Sequence, residues 1–536
     1  MDTPLGSQQS GIEPISGPLQ ELWRLFRQRY INAQRIADLM KSLLEACYYY
    51  AIPNKNRFYR PKQFQGEFRG SRLYDTTAIE AVKTFVSKMQ SSMTPPQVQW
   101  GYLDIDETQG NLEVEEKFML QETLNTYMQK LFVYIHQSNF DTAINECFFD
   151  LSIGTASLII NQFTDKQPLL FTSIPMDKLA IEEAMNGKIE SWFRTWEDVK
   201  IAEITTRWKN AIIPPDMIQQ TIDTPDAVVT ILYEGVMYLP NNEKPYLYMV
   251  GTAETPLVCE WYEINPGIVW RFQKINNEIF GRGPVMDALP SIISLNELAR
   301  IELAAANLNT FKPYMGFSDA VFNPHTFKLE PFTVIPIAPI GVGGSAPLVP
   351  LPDSSNPQFS QLTIQDLRMQ IKTLLFNEAN QTQSIQPVTA TDRMIDQQNL
   401  AERIGPLFSR LQSEFLWPII QRVGYILDKM GHLPYPDLKG IKIQFRYKSP
   451  LALAKGQQEI ARFTQWFQLM QGIMGPNPAM LYINPKKMPY VTAMMMQVNE
   501  EFLNTPDEVA MAGQNMQNMQ DQTMLAGQQP GEVPQQ

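Results

Sequence analysis

The 536-residue chain reads as an α+β protein, and three observations predict that class. Apolar residues recur at helical spacing through most of the region before residue 153. β-branched and aromatic residues then alternate in short runs between 155 and 272. Helical spacing returns from Val285 onward, with one Pro- and Gly-rich interruption. A chain of this length can bury more than one core, and about 150 residues per domain suggests roughly three or four structural units.

Residues 1–16 read as a flexible arm. From Pro18 to Tyr50, Leu22, Leu25, Phe26, Tyr30, Ile36, Leu39, Leu43 and Leu44 recur near helical spacing. After Pro53 an aromatic and basic stretch, Arg57-Phe58-Tyr59-Arg60-Pro61, leads through a loop to a second helix. That helix opens at Leu73-Tyr74-Asp75-Thr76-Thr77-Ala78, where the hydroxyl of Thr76 or Thr77 can cap the first free amides. It stops at Met93-Thr94-Pro95-Pro96, because two consecutive prolines make further helix impossible, and the chain lands on Trp100. Helical sequence covers roughly 111–152 and ends at Ile153-Gly154-Thr155-Ala156. Strands fit 155–161, 168–174, 188–196, 226–238, 245–251 and 259–272.

Phe280-Gly281-Arg282-Gly283-Pro284 returns the chain to helix, from Val285 to about Thr310. Residues 311–356, which include PFTVIPIAPIGVGG, can hold a few strands but no long helix. Another helix follows to Asn380, then a polar segment from Gln381 to Ala390. Thr389 and Asp392 could form a capping box with Asp in place of Glu, restarting helix there. The helical run from Thr391 to His432 is broken by Pro406 and Pro418. A strand near 441–448 and two or three helices between 452 and 503 complete the ordered part. From Thr505 to Gln536 there is no aromatic residue, Lys or Arg, while Gln, Met and Asn abound, which predicts disorder or helix formed only on assembly.

The net charge of −12, from 44 basic and 56 acidic residues, argues against a protein that wraps DNA on a strongly basic surface. It is compatible with one that lets DNA slide past, where tight phosphate contacts would hinder movement. Cys47, Cys147 and Cys259 lack CxxC spacing and predict a reduced compartment with neither a disulfide framework nor a metal site. The N-terminus has no signal-peptide character, and no run of 18 apolar residues exists, so neither export nor membrane spanning is expected.

The helix from Phe359 to Asn380 carries two apolar stripes on a wheel of 100° per residue. Ile364, Leu367, Ile371, Leu374 and Leu375 form one, and Phe359, Leu362, Met369 and Phe376 form the other. Gln361, Gln365, Arg368 and Lys372 make one polar edge; Asp366, Gln370, Thr373 and Asn377 straddle the second. A surface helix ordinarily has one stripe. Two suit a helix meeting a neighbour on each side in a ring, or one sandwiched between two layers of a large subunit; the wheel alone does not separate these. The helix from 285 to 310 is similar in kind, with Asp287, Ser291, Ser294, Glu302 and Asn309 on one polar edge and Asn296, Arg300 and Asn307 on a narrower one.

The succession of tyrosine, Asp-Thr-Thr-Ala, helix, proline pair and tryptophan between 72 and 100 resembles the N-terminal signature of portal proteins, or head-to-tail connectors, of short-tailed, podovirus-type bacteriophages. Phe280-Gly281-Arg282-Gly283-Pro284 with Ala288-Leu289-Pro290 and Leu295-Asn296 is similar to that family's entry into its first stem helix. Ile153-Gly154-Thr155-Ala156 resembles its Gly-Thr-Gly step, with Ala156 replacing the second glycine. Gln386-Pro387-Val388-Thr389-Ala390-Thr391 resembles its tunnel-loop exit. The resemblance spans roughly residues 20–500.

It implies an N-terminal arm (1–16), an α/β wing (17–284), a stem helix (285–310), a clip (311–356), a second stem helix (357–380), a tunnel loop (381–391), a long kinked helix with a returning strand (392–450), a helical crown (451–503) and a C-terminal tail (504–536). It further implies a ring of twelve subunits at the portal vertex of the virion, assembled in the host bacterial cytoplasm. Double-stranded DNA would pass through its centre, entering on packaging and leaving on ejection. Expected partners are the terminase large subunit, a tail adaptor or head-completion protein, the major capsid protein, and scaffolding or internal core proteins. No cofactor is expected.

On that scheme Thr382, Gln383, Ser384, Gln386 and Thr389 contact DNA through uncharged hydrogen-bonding groups suited to a sliding phosphate backbone. Gln361, Gln365, Arg368 and Lys372 are stem channel candidates. Ile364, Leu367, Ile371, Leu374, Leu362, Met369 and Phe376 are subunit-contact candidates. Short apolar strands such as Phe332–Ile337 would pair with a neighbouring subunit's, because one hairpin alone is marginal in water, and exposed apolar groups near the clip docking candidates Ile340 and Val342 would meet a partner.

Catalytic groups are scarce. His136, His325 and His432 lie in unrelated segments without Cys, Asp or Glu at ligand spacing. Gly341-Val342-Gly343-Gly344 lacks the Gly-Lys-Ser/Thr of a phosphate loop. Asp104-Ile105-Asp106-Glu107 reads as a solvated turn rather than a cation site. Trp192, Trp196, Trp261 and Trp270 read as core, and Met494, Met495 and Met496 as helical packing. The chain is therefore expected not to be an enzyme. The alternatives are another ring-forming virion scaffold, such as an adaptor or tail-tube component, and a metal-dependent hydrolase.

Overall fold

The structure is a computed structural model that describes residues 17–54, 70–105, 114–224, 227–310, 314–316, 348–350, 357–377, 407, 409–436, 443–447, 450–474, 488 and 492. The chain folds into two compact units. The first comprises Met1–Met89, Thr142–Ile160 and Thr172–Ser384; the second comprises Gln90–Asp141, Asn161–Phe171 and Ile385–Gln536.

The first unit is built on an antiparallel five-stranded sheet in the order β4-β5-β6-β7-β8, formed by Leu179–Glu183, Ile189–Lys200, Val228–Tyr238, Tyr246–Gly251 and Pro256–Tyr262. Helix α1 (Gly17–Ala51) lays Trp23, Phe26 and Ala33 on this sheet against Ala180, Phe193, Met237, Leu247 and Met249. The ring of Phe26 meets that of Phe193 edge-on at 5.1 Å, a favoured aromatic geometry. Arg29 locks the helix to the sheet edge by donating to Glu182, the Tyr238 carbonyl and Ser191 Oγ.

Inside the same sheet, Glu234 is buried and accepts from Tyr248 Oη at 2.7 Å and Trp196 Nε1 at 2.5 Å, with buried Arg194 stacked on the Trp196 ring at 3.7 Å. A buried charge is tolerated only when paired in this way. Trp192 and Trp270 are fully buried, as core tryptophans should be, whereas Trp196 and Trp261 are half-buried. A second sheet, β3-β2-β9, uses Leu169–Ser173, Thr155–Gln162 and Gly267–Arg271. Two short helices that the apolar spacing did not suggest, α5 (Ile201–Arg207) and α6 (Pro215–Asp223), follow β5. They carry too few apolar residues for a periodic signal; α6 buries none of its side chains.

Helix α7 (Pro284–Thr310) and helix α8 (Pro357–Leu374) pack on each other within this unit. Between them, β10 (Tyr314–Gly316) pairs antiparallel with β11 (Leu348–Pro350), with Met315 opposite Val349, so the ends of the intervening segment are joined. Residues 317–347, with Ile340 and Val342, lie outside the described residues, as do the glycines 341–344.

The second unit centres on Trp100, which is fully buried against Phe132 (4.8 Å), Phe140 (6.4 Å), Phe445 (6.3 Å) and Tyr447 (6.4 Å). Helix α3 (Val114–Gln137) supplies Phe132, and α4 (Phe140–Ile153) begins at Phe140. Strand β1 (Gly101–Ile105) pairs antiparallel with β12 (Ile443–Tyr447), placing Leu103 opposite Phe445. The sequence reading of 104–107 as a solvated turn is therefore corrected at Asp104. It lies buried in β1, with Oδ2 2.8 Å from Arg446 Nε on the partner strand. That pairing partner lies hundreds of residues away, beyond the reach of local pattern.

Pro418 does not break its helix, contrary to expectation. A π-helical turn, Gln412–Leu416, leads directly into α9 (Trp417–Lys429). The wider turn relieves the clash between a proline ring and the preceding turn. Helix α10 (Pro450–Met474) ends the long described elements.

Candidate functional site

The segment Arg72-Leu73-Tyr74-Asp75 straps α2 (Thr77–Met93), α7 and α8 together. Asn296 of α7 is buried; its Oδ1 accepts from the Tyr74 amide at 2.8 Å and its Nδ2 donates to the Arg72 carbonyl at 3.1 Å. Asp75 Oδ1 accepts the Thr77 amide at 2.8 Å, capping α2, while Oδ2 takes both Nη2 (2.7 Å) and Nε (3.0 Å) of Arg368 in α8. The expected cap, Thr76 or Thr77, is thus corrected to Asp75: its carboxylate reaches the amide two residues on, an Asx turn legible in Asp-Thr-Thr.

Burial raises the Asp75 pKa, but hydrogen bonds from the Thr77 hydroxyl and amide and the Arg368 guanidinium outweigh it and hold the carboxyl below the usual aspartate range. Arg368, read from the sequence as a channel candidate, gives its Nε and Nη2 donors to this strap.

Two glycine motifs that stand 127 residues apart in sequence meet face to face. A Cβ on Gly154 would lie 2.0 Å from the Gly281 carbonyl oxygen, and one on Gly281 2.3 Å from that of Gly154. Gly281 donates its amide to Thr155 Oγ1 at 2.8 Å, and Phe272 donates to the Gly154 carbonyl at 2.8 Å. Glycine is required because two backbones touch, not because of a special φ. The contact fixes the start of α7 on the end of α4, both within the first unit.

The two stripes of α8 have different fates in the single subunit. Ile364, Ile371 and Leu375 are buried and Leu367 is half-buried. On the other stripe Leu362 and Met369 are 62% and 44% exposed, whereas Phe376 is half-buried and turns to Phe85 and Phe272, with centroids 6.1 and 6.2 Å away. Leu374 is exposed, as are Gln361 and Gln365, and Lys372 is half-buried. Beyond Ala299, α7 also leaves Ile301 and Leu303 exposed. Asn296 and Arg368 meet the same strap, and both helices run from it to the segment 311–356, so they form an antiparallel pair whose far half is thinly covered.

The remaining candidates, Thr382, Gln383, Ser384, Gln386 and Thr389, lie outside the described residues, as do Met494, Met495, Met496, the arm 1–16 and the tail 504–536. Among the described residues no group of three His, Cys, Asp or Glu side chains could hold a metal ion, and no helix is long and apolar enough to cross a membrane. His136 has an acidic neighbour that the sequence did not suggest: Nδ1 is 3.9 Å from Asp141 Oδ2, brought round by the turn between α3 and α4. Burial pushes the Cys47 thiol up to about 12 and raises that of Cys259, leaving both as weak nucleophiles.

A family profile described as "Bacteriophage head to tail connecting protein" matches residues 25–503. Two solved structures overlap the chain more loosely. One, titled "Virion of native gene transfer agent (GTA) particle", has a TM-score of 0.35 and 11% identity, and covers 83% of this chain and 98% of its own. The other, "Neck of empty GTA particle computed with C6 symmetry", has a TM-score of 0.35 and 13% identity, and covers 81% and 95%. No curated protein matches the chain.

Proposed function

Because the chain belongs to the bacteriophage head to tail connecting protein family, and so is a structural connector of the phage virion, we propose that it assembles as a closed portal ring of identical subunits, twelve by the resemblance to podovirus-type portals. The observation that carries this reading is the uncovered stripe of α8. Leu362 and Met369, with Ile301 and Leu303 on α7, are large exposed apolar groups on a helix pair, whereas Ile364, Ile371 and Leu375 of the other α8 stripe are buried within the subunit. A neighbouring copy around a ring covers such a face without needing a different partner.

On this reading the α7–α8 pair is the stem, residues 311–356 are the clip, and 381–391 form the tunnel loop around the axis. Double-stranded DNA passes through the centre during packaging and ejection. Gln361, Gln365 and the tunnel-loop residues Thr382, Gln383, Ser384, Gln386 and Thr389 offer uncharged hydrogen-bonding groups, and the acidic chain keeps the walls from gripping phosphate. The clip docks the terminase large subunit and then the tail adaptor; capsid and scaffolding or core proteins surround the ring. The protein is a conduit, and no catalytic step is assigned to it.

Native mass spectrometry and electron-microscopic averaging of purified protein test the assembly. Closed rings with an axial channel are expected, and a stable monomer or dimer under assembly conditions would overturn the proposal.

A further inference from the structure

The hairpin that joins β4 to β5 turns through Ala184-Met185-Asn186-Gly187-Lys188 and holds the only Asn-Gly step in the chain. The Gly187 amide donates to the Ala184 carbonyl at 2.9 Å, and the Ala184 amide to the Lys188 carbonyl at 2.8 Å. Gly187 stands at φ +78°, in the left-handed region, so the turn calls for glycine after the asparagine. Met185 and Asn186 at the tip face solvent.

This dipeptide is chemically labile, because glycine has no side chain to shield its amide nitrogen from the preceding carboxamide. The nitrogen attacks Cγ of the asparagine and a succinimide ring forms. The Cγ–Nδ2 bond breaks, and ammonia leaves with the proton that the glycine nitrogen gives up. Water then opens the ring to aspartate or isoaspartate.

In the folded hairpin each reacting group is held. The proton that Gly187 must shed is committed to the Ala184 carbonyl. Asn186 Oδ1 accepts from the Lys188 amide at 2.9 Å, while Nδ2 donates to Glu190 Oε1 at 2.9 Å, a bond strengthened by the charge of its acceptor. The carboxamide cannot turn without breaking both. From β9, the fully buried Arg271 donates Nη2 to the Gly187 carbonyl at 2.7 Å and fixes the turn from below.

We propose that Asn186 is a latent deamidation site that the folded hairpin keeps closed, with Glu190 as its latch. When the hairpin opens, Asn186 converts to aspartate or isoaspartate. The new carboxylate then faces that of Glu190, and like charges oppose closure. The inference concerns the subunit alone and stands whether or not the chain forms rings.

Peptide mass spectrometry of the full-length protein, incubated at neutral pH and read for deamidation and isoaspartate at Asn186, tests it. Folded protein should convert more slowly than the same protein in guanidinium chloride by about tenfold or more, because reaction waits on local opening. Equal rates in the two states overturn the proposal. Glu190→Ala, compared under conditions where its circular dichroism matches that of the native protein, should convert faster by about threefold or more, since it loses a hydrogen bond to a charged group. Glu190→Gln keeps an acceptor oxygen and should convert at close to the native rate. An alanine variant that converts no faster than the native protein, or a glutamine variant as fast as the alanine one, removes Glu190 as the latch and overturns the proposal.

Discussion

Asp75 caps one helix and braces another with the same carboxylate, so its two oxygens can be tested apart. Asp75→Ala removes both the cap and the ion pair, and should cost about 1–2 kcal/mol in urea denaturation of the unassembled subunit. Asp75→Asn keeps an acceptor for the Thr77 amide and loses only the pairing with Arg368, whose side chain is 47% exposed, so it should cost under about 1 kcal/mol. Since the folded pKa lies below the unfolded one, this contribution is fully present at neutral pH and is lost as pH falls through the folded value. Denaturation midpoints of the native protein should therefore drop more than those of Asp75→Asn on acidification below about pH 4. At Gly154 and Gly281 the cost is steric. Either residue changed to Ala drives a methyl into a backbone carbonyl and should destabilise by about 2–3 kcal/mol, with lowered thermal midpoints as the readout.

At the scale of elements, α8 presents the sharpest test of assembly. Leu362→Glu with Met369→Glu alters groups already facing solvent in the subunit, so circular dichroism and the thermal midpoint of the unassembled chain should change little, by about 0.5 kcal/mol or less. Ring formation, followed by size exclusion and native mass spectrometry, should be abolished, because each interface would bury uncompensated charge. The helical wheel displayed both stripes but left ring and sandwich open. Which stripe the subunit itself covers is set by tertiary packing, and no periodicity contains that. The same limit explains β1: its five residues acquire strand geometry from β12, more than three hundred positions later. Pro418 misled for the opposite reason, since a local breaker rule was overruled by a π turn that local rules seldom anticipate.

For the proposed assembly, the segment whose ends β10 and β11 join is the one to delete. Deleting 338–346 should leave rings intact by electron microscopy while weakening capture of the packaging motor or of the tail adaptor. Normal packaging rates would remove the motor-docking role, and unchanged tail attachment would remove the adaptor role. On the proposed channel reading, the net charge of −12 bears on function at this scale only, as a condition under which DNA would pass without being held.

The sequence by itself determined the class of the fold and most of its long elements, because periodicity and proline or glycine punctuation are local consequences of chain geometry. It also marked the residues around Tyr74-Asp75, Gly154, Gly281, Asn296 and Arg368 without indicating that they meet. Tertiary structure alone decided that Asn296 and Arg368 grip one strap, that two glycines touch across 127 positions, and that Phe376 rather than glycine stops α8. Each of these depends on which distant backbone lies within a few ångströms, and that distance is settled by packing of the whole unit rather than by any window of residues.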